Sequence, residues 1–306
     1  MIISASYRTD IPAFYGEWFM NRLDAGYCLV ENPYSGQPYR VSLRREDVDG
    51  FVFWTKNLTP FMGSLKPIRV RGFPFVVQYS INAYPRQLEF SVVDAERAVA
   101  QMRQVAVDYG ERVPVWRYDP ILFTSLTPPD FHRENFARLA AALAGSTDEV
   151  VISFAQIYQK TRRNLSWAAR EFDFTWDDPP DATKLELVSE LTAIARQHGM
   201  QLTVCSQRQY IVPGVEAARC IDARRLADIA GKVINVPLKG NRPDCACHLS
   251  RDIGAYDTCP HGCVYCYAVR ERALALSRYR EHNPTGDFLY RVEQSEAEPE
   301  IQPRLL

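Results

Sequence analysis

The chain has 306 residues, of which 46% are hydrophobic, and its 36 lysines and arginines nearly balance its 37 aspartates and glutamates. This composition indicates a globular chain with a large core, in one barrel-sized domain or two smaller ones. The near-zero net charge excludes a global electrostatic reason for binding nucleic acid or membranes. The first residues carry no export signal and no stretch approaches roughly 18 apolar residues, so we expect a cytoplasmic protein with no membrane partner.

The first part of the chain predicts strands that alternate with helices. A short strand opens the chain, and a helix follows from about Pro12 to Leu23. Residues 27–43 predict a hairpin around a Pro/Gly turn. The dense apolar runs at 50–57 and 73–82 are typical of strands that are buried on both faces.

The same alternation continues to about residue 280. Ser91 with Asp94 three residues later predicts a capping box at the start of a helix that Gly110 ends. Further strands are predicted at 113–121, 149–157, 200–205 and 232–238. Further helices are predicted from Asp130 to Gly145, from Asp181 to Gly199, from Asp222 to Gly231 and from Tyr267 to Arg280. Seven strands outside the hairpin, with helices between most of them, predict a parallel sheet.

This pattern predicts an α/β fold, either a complete or a partial (β/α) TIM-like barrel, with a doubly wound open sheet as the second choice. No Gly-rich dinucleotide or P-loop fingerprint follows any strand. We expect one domain over residues 1–290 with a cysteine-rich region at 205–267. Residues 291–306 are acidic and poor in apolar side chains, which predicts a flexible tail.

Polar side chains follow most of the predicted strands, and in a parallel barrel the active site forms where the strands end. The candidate catalytic residues at these positions are Arg8, Asp10, Lys56, Arg117 and Asp119. The candidate cofactor-binding residues are Trp54, Asn57 and Gln156. An arginine can bind a carboxylate with two hydrogen bonds, and an aspartate can accept a hydrogen bond from a ribose hydroxyl or an amine. The alternative is that these charges pair with each other and hold the loops.

Seven of the eight cysteines lie between Cys205 and Cys266, a clustering that favours metal binding over disulfides in a large chain. The exception, Cys28, lies in an apolar stretch and is predicted to be a buried core residue. The densest group is CPHGCVYC, in which Cys259, Cys263 and Cys266 can converge on one metal centre. Structural zinc favours four ligands, and three local thiols leave one position open, so an iron-sulfur cluster is the first hypothesis and zinc the second.

Four thiols remain upstream, at Cys205, Cys220, Cys245 and Cys247. They are enough for a second closed site, either an auxiliary iron-sulfur cluster or an all-cysteine zinc site. Two alternatives stay open: one or two of them are core residues, or Cys247 alone completes the first cluster. His248 and His261 lie beside cysteines and are expected near the ligands rather than among them.

CPHGCVYC resembles the CxxxCxxC signature of radical S-adenosylmethionine (SAM) enzymes, including the aromatic residue before the last cysteine. The stretches CACHLSRDIGAYDTCPHGCVYCYA and SASYRTDIPAFYGEWFMNRL resemble DUF1848, a bacterial family, over nearly the full length. The resemblance implies that three cysteines hold a 4Fe-4S cluster, that SAM occupies the fourth iron, and that the backbone around Tyr265 contacts adenine. It also implies an electron donor such as a flavodoxin or ferredoxin. The chain departs from radical SAM enzymes in two ways: the motif is near the C-terminus, and no GGE-like motif is present.

Three functions follow as hypotheses. The first is a radical SAM-type enzyme that cleaves SAM reductively and acts on an unknown substrate. The second is an iron-sulfur or zinc protein without SAM, serving electron transfer, sensing or partner binding. The third is DNA repair of the spore photoproduct lyase kind, a more distant similarity that local basic runs at 44–45, 160–163 and 270–280 would suit, although such runs are usually solvated helix faces.

Overall fold

A computed structural model describes residues 1–240 and 242–291. The strands are β1 (Ile2–Ala5), β2 (Tyr27–Glu31), β3 (Pro38–Ser42), β4 (Gly50–Thr55), β5 (Phe75–Ser80), β6 (Pro114–Ile121), β7 (Glu149–Phe154), β8 (Gln201–Val204), β9 (Glu216–Ala217) and β10 (Ser250–Asp252). The helices are α1 (Ile11–Phe14), α2 (Gly16–Ala25), α3 (Met62–Val70), α4 (Ala95–Tyr109), α5 (Pro129–Leu143), α6 (Gln159–Glu171), α7 (Asp181–Gln197), α8 (Ala223–Ala230) and α9 (Arg272–Glu281), with 3-10 turns at Thr59–Phe61 and Arg208–Tyr210. None of the described helices is long and apolar enough to cross a membrane.

Eight strands form one sheet in the order β10, β1, β4, β5, β6, β7, β8, β9, and every neighbouring pair is parallel. The last strand of the chain lies beside the first, since Ile2 is in register with Ser250 on one side and with Gly50 on the other. Strands β2 and β3 form the predicted hairpin outside this sheet. The α/β class is confirmed, but no hydrogen-bonded ladder between described residues joins β9 to β10, so the sheet is not a closed barrel.

Alternate residues of the strands enter two different cores. Phe51 and Phe53 of β4 belong to the larger core, which also contains side chains from α2, α3, α4, α5 and α7. Val52, between them, belongs to a second core on the other face of the sheet, and this core also contains Leu226 of α8. Both faces of these strands are buried and need apolar residues. The sequence of each strand therefore lacks the alternation of apolar and polar residues that marks a half-exposed strand. Cys28 lies in the larger core and is fully buried, as predicted.

Six of the seven predicted strands are confirmed, and the seventh, at 232–238, is wrong. Val233 and Leu238 are 81% and 66% exposed, whereas Ile234 packs into the second core, so this apolar run covers the sheet as an irregular segment. The sheet instead gains β9 and β10. Strand β10 reads Ser-Arg-Asp and has no apolar residue that could mark it. The Asp252 carboxylate stabilises this strand by accepting hydrogen bonds from the hydroxyls of Ser4 and Ser6 and from the N–H of Tyr7.

Two predicted helix starts are also wrong. Helix α4 begins at Ala95 with Asp94 as its N-cap residue, and Ser91 lies outside it because the Ser91 hydroxyl accepts a hydrogen bond from Arg272. Helix α9 begins at Arg272 rather than Tyr267, since the residues just after the last cysteine complete the loop. Helices α3 and α6 were not predicted. The predicted acidic tail lies, apart from Arg291, outside the described residues.

Candidate functional site

The three-cysteine loop follows strand β10 at the carboxyl edge of the sheet. The imidazole of His261 in this loop makes a hydrogen bond of 2.8 Å with Asp10, which follows β1. The backbone N–H of Val264 donates to the carbonyl of Leu88, in the segment after β5, at 3.1 Å. Because β1, β5 and β10 are parallel, these contacts hold the loop over the edge where the predicted site residues lie.

Gly262 permits the tight turn between the first two cysteines of the loop. Its φ is 75°, in the left-handed region that favours glycine. A Cβ atom at this position would lie 2.6 Å from Cδ of Arg272 and 2.9 Å from Cδ2 of Phe90. Both the backbone conformation and the packing therefore require glycine between Cys259 and Cys263.

The loop thiols of Cys259, Cys263 and Cys266 are free and half-buried. Burial raises the pKa of all three thiols, and the neighbouring cysteines raise the pKa of Cys259 and Cys263 further. The backbone N–H of Ala268 donates a hydrogen bond of 3.3 Å to Sγ of Cys266. In the metal-free chain these groups are therefore protonated thiols at neutral pH, and any metal that binds them must displace their protons.

Among the residues that the structure describes, no three His, Cys, Asp or Glu side chains are already arranged to hold a metal ion. The donor chemistry of the loop still fits an iron-sulfur cluster, because three free thiols lie in one short loop and are close enough to raise one another's pKa. At least one also accepts a backbone N–H, the kind of bond that tunes such clusters. The three thiols therefore suit a cluster in their chemistry and their proximity. They must move closer together when the metal centre binds.

Lys56 and Glu89 form a buried ion pair beside the loop, with Nζ 2.8 Å from Oε1. The Lys56 ammonium also donates to Oδ1 of Asn82 at 2.9 Å, and the Tyr265 hydroxyl donates to Glu89. Burial lowers the pKa of Lys56, but Glu89 and Cys263 outweigh it, so the pKa is raised. The Lys56 ammonium therefore stays protonated beside Cys263. Two predicted residues, Lys56 and Tyr265, belong to this site.

Asp10 is fully engaged with its own chain. One carboxylate oxygen accepts from the N–H of Ala13 at 2.9 Å and caps α1, while the other accepts from the N–H of Lys56 at 2.7 Å and bonds to His261. Asp10 therefore positions the cysteine loop and the end of β4. Its predicted role as a catalytic carboxylate remains a prediction.

Arg117 and Asp119 form a second buried ion pair on the face of the sheet that carries the second core, which is called the inner face below. The Arg117 guanidinium donates to Sγ of Cys220 at 3.0 Å and lies 5.0 Å above the ring of Trp54. The Ser153 hydroxyl donates to Asp119. Burial raises the pKa of Asp119, but Arg117 and this hydroxyl lower it more, so the carboxylate is ionised. Three predicted residues, Trp54, Arg117 and Asp119, thus lie together.

Arg8 lies apart from both ion pairs. Its Nε is 3.6 Å from Asp252, and its guanidinium stacks 5.2 Å from the ring of Tyr256. It lines a cavity of about 210 Å³ that also contains Arg278 and Tyr290. Arg8 therefore joins the end of β1 to the end of β10, and the sequence does not predict Asp252 or Tyr256 because neither stands in a predicted strand end.

The structure does not bring Asn57 and Gln156 into these groups. The Asn57 side chain accepts a hydrogen bond of 3.1 Å from the N–H of Thr59 and so stabilises a turn. Gln156 is exposed, and its side chain accepts a hydrogen bond from the hydroxyl of Tyr158. Their predicted role in cofactor binding remains a prediction.

The four upstream cysteines form a separate group on the inner face. Cys205, Cys220 and Cys247 belong to the second core, and Cys245 packs against it. Sγ of Cys220 lies 3.6 Å from Sγ of Cys205. The Arg117 guanidinium connects this group to Asp119. The predicted second metal site on these four thiols remains a prediction.

A polar cavity of about 250 Å³ borders the Lys56–Glu89 pair on the side of α4. Asn82, Arg86 and Arg138 also line it. Its volume is just below the range of about 300–1,000 Å³ that is typical of ligand sites. The sequence does not predict Glu89, because a single acidic residue in the segment between β5 and α4 carries no pattern.

The fold and the site together define an α/β protein whose parallel sheet carries a three-cysteine loop at its carboxyl edge. The chain belongs to the family described as a domain of unknown function, DUF1848, whose profile matches residues 2–268. The family resemblance drawn from the sequence is thereby confirmed. A search of the curated proteins finds no match.

Two solved structures show limited similarity to the chain. One is the D-hydantoinase from a Bacillus sp. AR9, with 12% identity, a TM-score of 0.29, and coverage of 60% of this chain and 37% of that one. The other is the dihydropyrimidinase from Brevibacillus agri NCHU1002, with 11% identity, a TM-score of 0.28, and coverage of 71% and 39%. The chain thus spans well under half the length of either structure, and at these TM-scores neither bears on its function.

Proposed function

We propose that this protein is an iron-sulfur enzyme of the radical SAM type, with a 4Fe-4S cluster on Cys259, Cys263 and Cys266. One observation carries the proposal: the three-cysteine loop directly follows a strand at the carboxyl edge of a parallel sheet. In folds of this kind, ligands bind outside the carboxyl ends of the strands. The loop therefore stands where a cofactor would face a substrate.

We further propose that the sheet is a partial (β/α) barrel opened between β9 and β10. Apart from the hairpin, the strand order follows the chain order and the last strand lies beside the first, as closure of a barrel requires. The helices α3, α4, α5 and α7, which connect the successive strands from β4 to β8, contribute to one core on one face. Helix α8, which follows β9, lies on the other face. A doubly wound sheet would instead place the connecting helices on both faces. The unit of β10, cysteine loop and α9 is then the last βα unit of the barrel, which accounts for a motif near the C-terminus.

With a cluster bound, SAM on the open iron would be cleaved reductively to a 5'-deoxyadenosyl radical, which is the chemistry of the cofactor. The electron would come from a donor such as a flavodoxin or ferredoxin. Lys56 holds a positive charge near Cys263, which offsets the negative charge of thiolate ligands. The hydroxyl of Tyr265 is held by Glu89, which fixes the loop backbone that the family resemblance assigns to adenine.

Arg117, Asp119 and Trp54 are the inner-face groups that we assign to the substrate side. The Asp119 carboxylate and the Arg117 guanidinium are both ionised, and the indole provides a flat apolar surface under the guanidinium. Such a set orients a polar ligand rather than an apolar one. The substrate is therefore expected to be a polar molecule.

Anaerobic reconstitution with iron and sulfide tests the proposal. The full chain should take up about four irons in its loop cluster, show a reduced-cluster spectrum that changes when SAM is added, and release 5'-deoxyadenosine on reduction. Cys263→Ala should lose this cluster, while Cys28→Ala, in the core and far from the loop, should keep it. Binding of zinc without iron at the loop would contradict the proposal and favour a non-SAM metal protein.

A further inference from the structure

The four cysteines upstream of the loop come from three segments that the fold brings to one place. Cys205 follows β8, Cys220 precedes α8, and Cys245 and Cys247 lie between α8 and β10. All four pack in or against the core on the inner face of the sheet. None of them is needed for the three-thiol loop, so the group requires its own account.

The thiols of this group lie close together. Sγ of Cys220 is 3.6 Å from Sγ of Cys205, and Sγ of Cys247 accepts a hydrogen bond of 3.4 Å from the N–H of Ile221, the residue after Cys220. Cys245, two residues before Cys247, packs against the same core. A zinc ion with Zn–S bonds of about 2.3 Å holds its four sulfurs about 3.8 Å apart along each edge of the tetrahedron. The distance between Cys205 and Cys220 is close to that edge. In a 4Fe-4S cluster each thiolate binds a different iron, so the sulfurs stand farther apart.

The surroundings of the group suit a negatively charged centre. The Arg117 guanidinium donates to Sγ of Cys220 at 3.0 Å, and the N–H of Ile221 donates to Sγ of Cys247 at 3.4 Å. Zinc bound by four thiolates carries a net charge of −2, and a buried charge of this kind needs such partners. The Gln78 side chain donates to the carbonyl of Cys220 at 2.9 Å, which fixes that cysteine against β5.

The chain around these cysteines has little regular structure of its own. Between Ala230 and Ser250 the described residues form no helix or strand, only an isolated bridge between Leu238 and His248. Irregular stretches of more than about 15 residues are uncommon in compact domains unless they serve a function. Gly240 approaches Cys245 so closely that a Cβ atom would lie 2.3 Å from the Cys245 carbonyl oxygen. A metal ion that joins the three segments would supply the stability that regular hydrogen bonding does not.

We propose that Cys205, Cys220, Cys245 and Cys247 bind one zinc ion as a structural tetrathiolate site. Among the described residues no three of these side chains are already arranged around an ion, so binding draws the four thiols together. Each thiol releases its proton to solvent as its sulfur bonds to the ion. The site is closed, with no open position, and it links β8 to the irregular segment that precedes β10. It is independent of the cluster on the loop.

Metal analysis of the full chain purified without added iron tests the zinc site. The wild type should contain about one zinc per chain, and Cys245→Ser with Cys247→Ser should contain none. Cys28→Ala and Cys263→Ala should keep the zinc. The doubly substituted chain should still take up the loop cluster on reconstitution, so loss of the zinc site and loss of the proposed function are distinguishable. A strong chelator should lower the melting temperature of the wild type.

If the doubly substituted chain does not fold, a cobalt titration replaces it. Metal-free Cys263→Ala protein, in which the loop lacks one thiol, should bind one Co²⁺ with the intense absorption of a tetrahedral thiolate site. A wild type with no zinc, zinc retained without Cys245 and Cys247, or a second set of about four irons would each overturn the proposal. A mass loss of two hydrogens that reports a disulfide between Cys205 and Cys220 would overturn it too.

Discussion

The Lys56–Glu89 pair under the cysteine loop can be tested by a double-mutant cycle. The two side chains are 13% and 4% exposed, with 2.8 Å between Nζ and Oε1. Removing one member of a buried pair typically costs about 3–5 kcal/mol, because the other charge is left unpaired. Glu89→Gln keeps an acceptor, and Asn82 Oδ1 stays 2.9 Å from the ammonium. We therefore expect a loss near the lower limit, about 3 kcal/mol in the free energy of unfolding.

The substitution Lys56→Met should cost a similar amount, since the Glu89 carboxylate would then keep only the Tyr265 hydroxyl. The double variant Lys56→Met, Glu89→Gln leaves no unpaired charge. Its loss in the free energy of unfolding should therefore be smaller than the sum of the two single losses by at least about 1.5 kcal/mol. Urea unfolding of the metal-free protein measures all four corners. Glu96→Gln is the matched control, because the Glu96–Arg138 pair is exposed and worth less than about 1 kcal/mol. Strictly additive losses would refute the reasoning.

Three further predictions rest on single positions. Gly262→Ala should destabilise the cysteine loop and reduce iron uptake, since its Cβ would lie 2.6 Å from Arg272 Cδ; unchanged uptake would contradict this. Burial lowers the pKa of His132 to about 4, below its unfolded value of about 6.5, so stability is lost as pH falls through this window, by about 3 kcal/mol in total; urea midpoints of His132→Gln should show a smaller change over the same pH range. Arg225→Met should cost about 3 kcal/mol, because it leaves Asp148 and Glu149 without their buried partner; a melting temperature equal to the wild type would disprove it.

The sequence predicts the strands that carry their own signal and misses those that do not. Apolar runs such as those around Phe51 and Phe75 mark central strands because both of their faces are buried. Strand β10 has no apolar residue, and its place beside β1 depends on hydrogen bonds that Asp252 makes with Ser4 and Ser6. The two serines are almost 250 residues away in sequence, so no local pattern could reveal this pairing. The run at 232–238 shows the opposite error, since apolar composition alone does not make a strand.

In the candidate site, too, features with a local sequence signal could be predicted, and features that depend on contacts between distant segments could not. Position at the end of a strand was enough to predict that Lys56, Arg117 and Asp119 lie near one edge of the sheet, because the carboxyl ends of parallel strands meet there. Their functional role remains a prediction. Position alone could not predict that Asp10 would be used to hold His261, or that Glu89 would pair with Lys56, since both depend on contacts between distant segments. The spacing of the cysteines identified two groups of thiols, but the 3.6 Å approach of Cys220 to Cys205 depends on the fold and could not be predicted from the spacing.

The central claim is that the three-cysteine loop holds a cluster with one iron open to SAM. The most direct measurement is electron paramagnetic resonance of the reduced, reconstituted chain carrying Cys245→Ser and Cys247→Ser, recorded before and after SAM is added. The account predicts a 4Fe-4S signal that persists in this variant and shifts when SAM binds. Loss of the signal with those two cysteines, or a signal that SAM leaves unchanged, would contradict it.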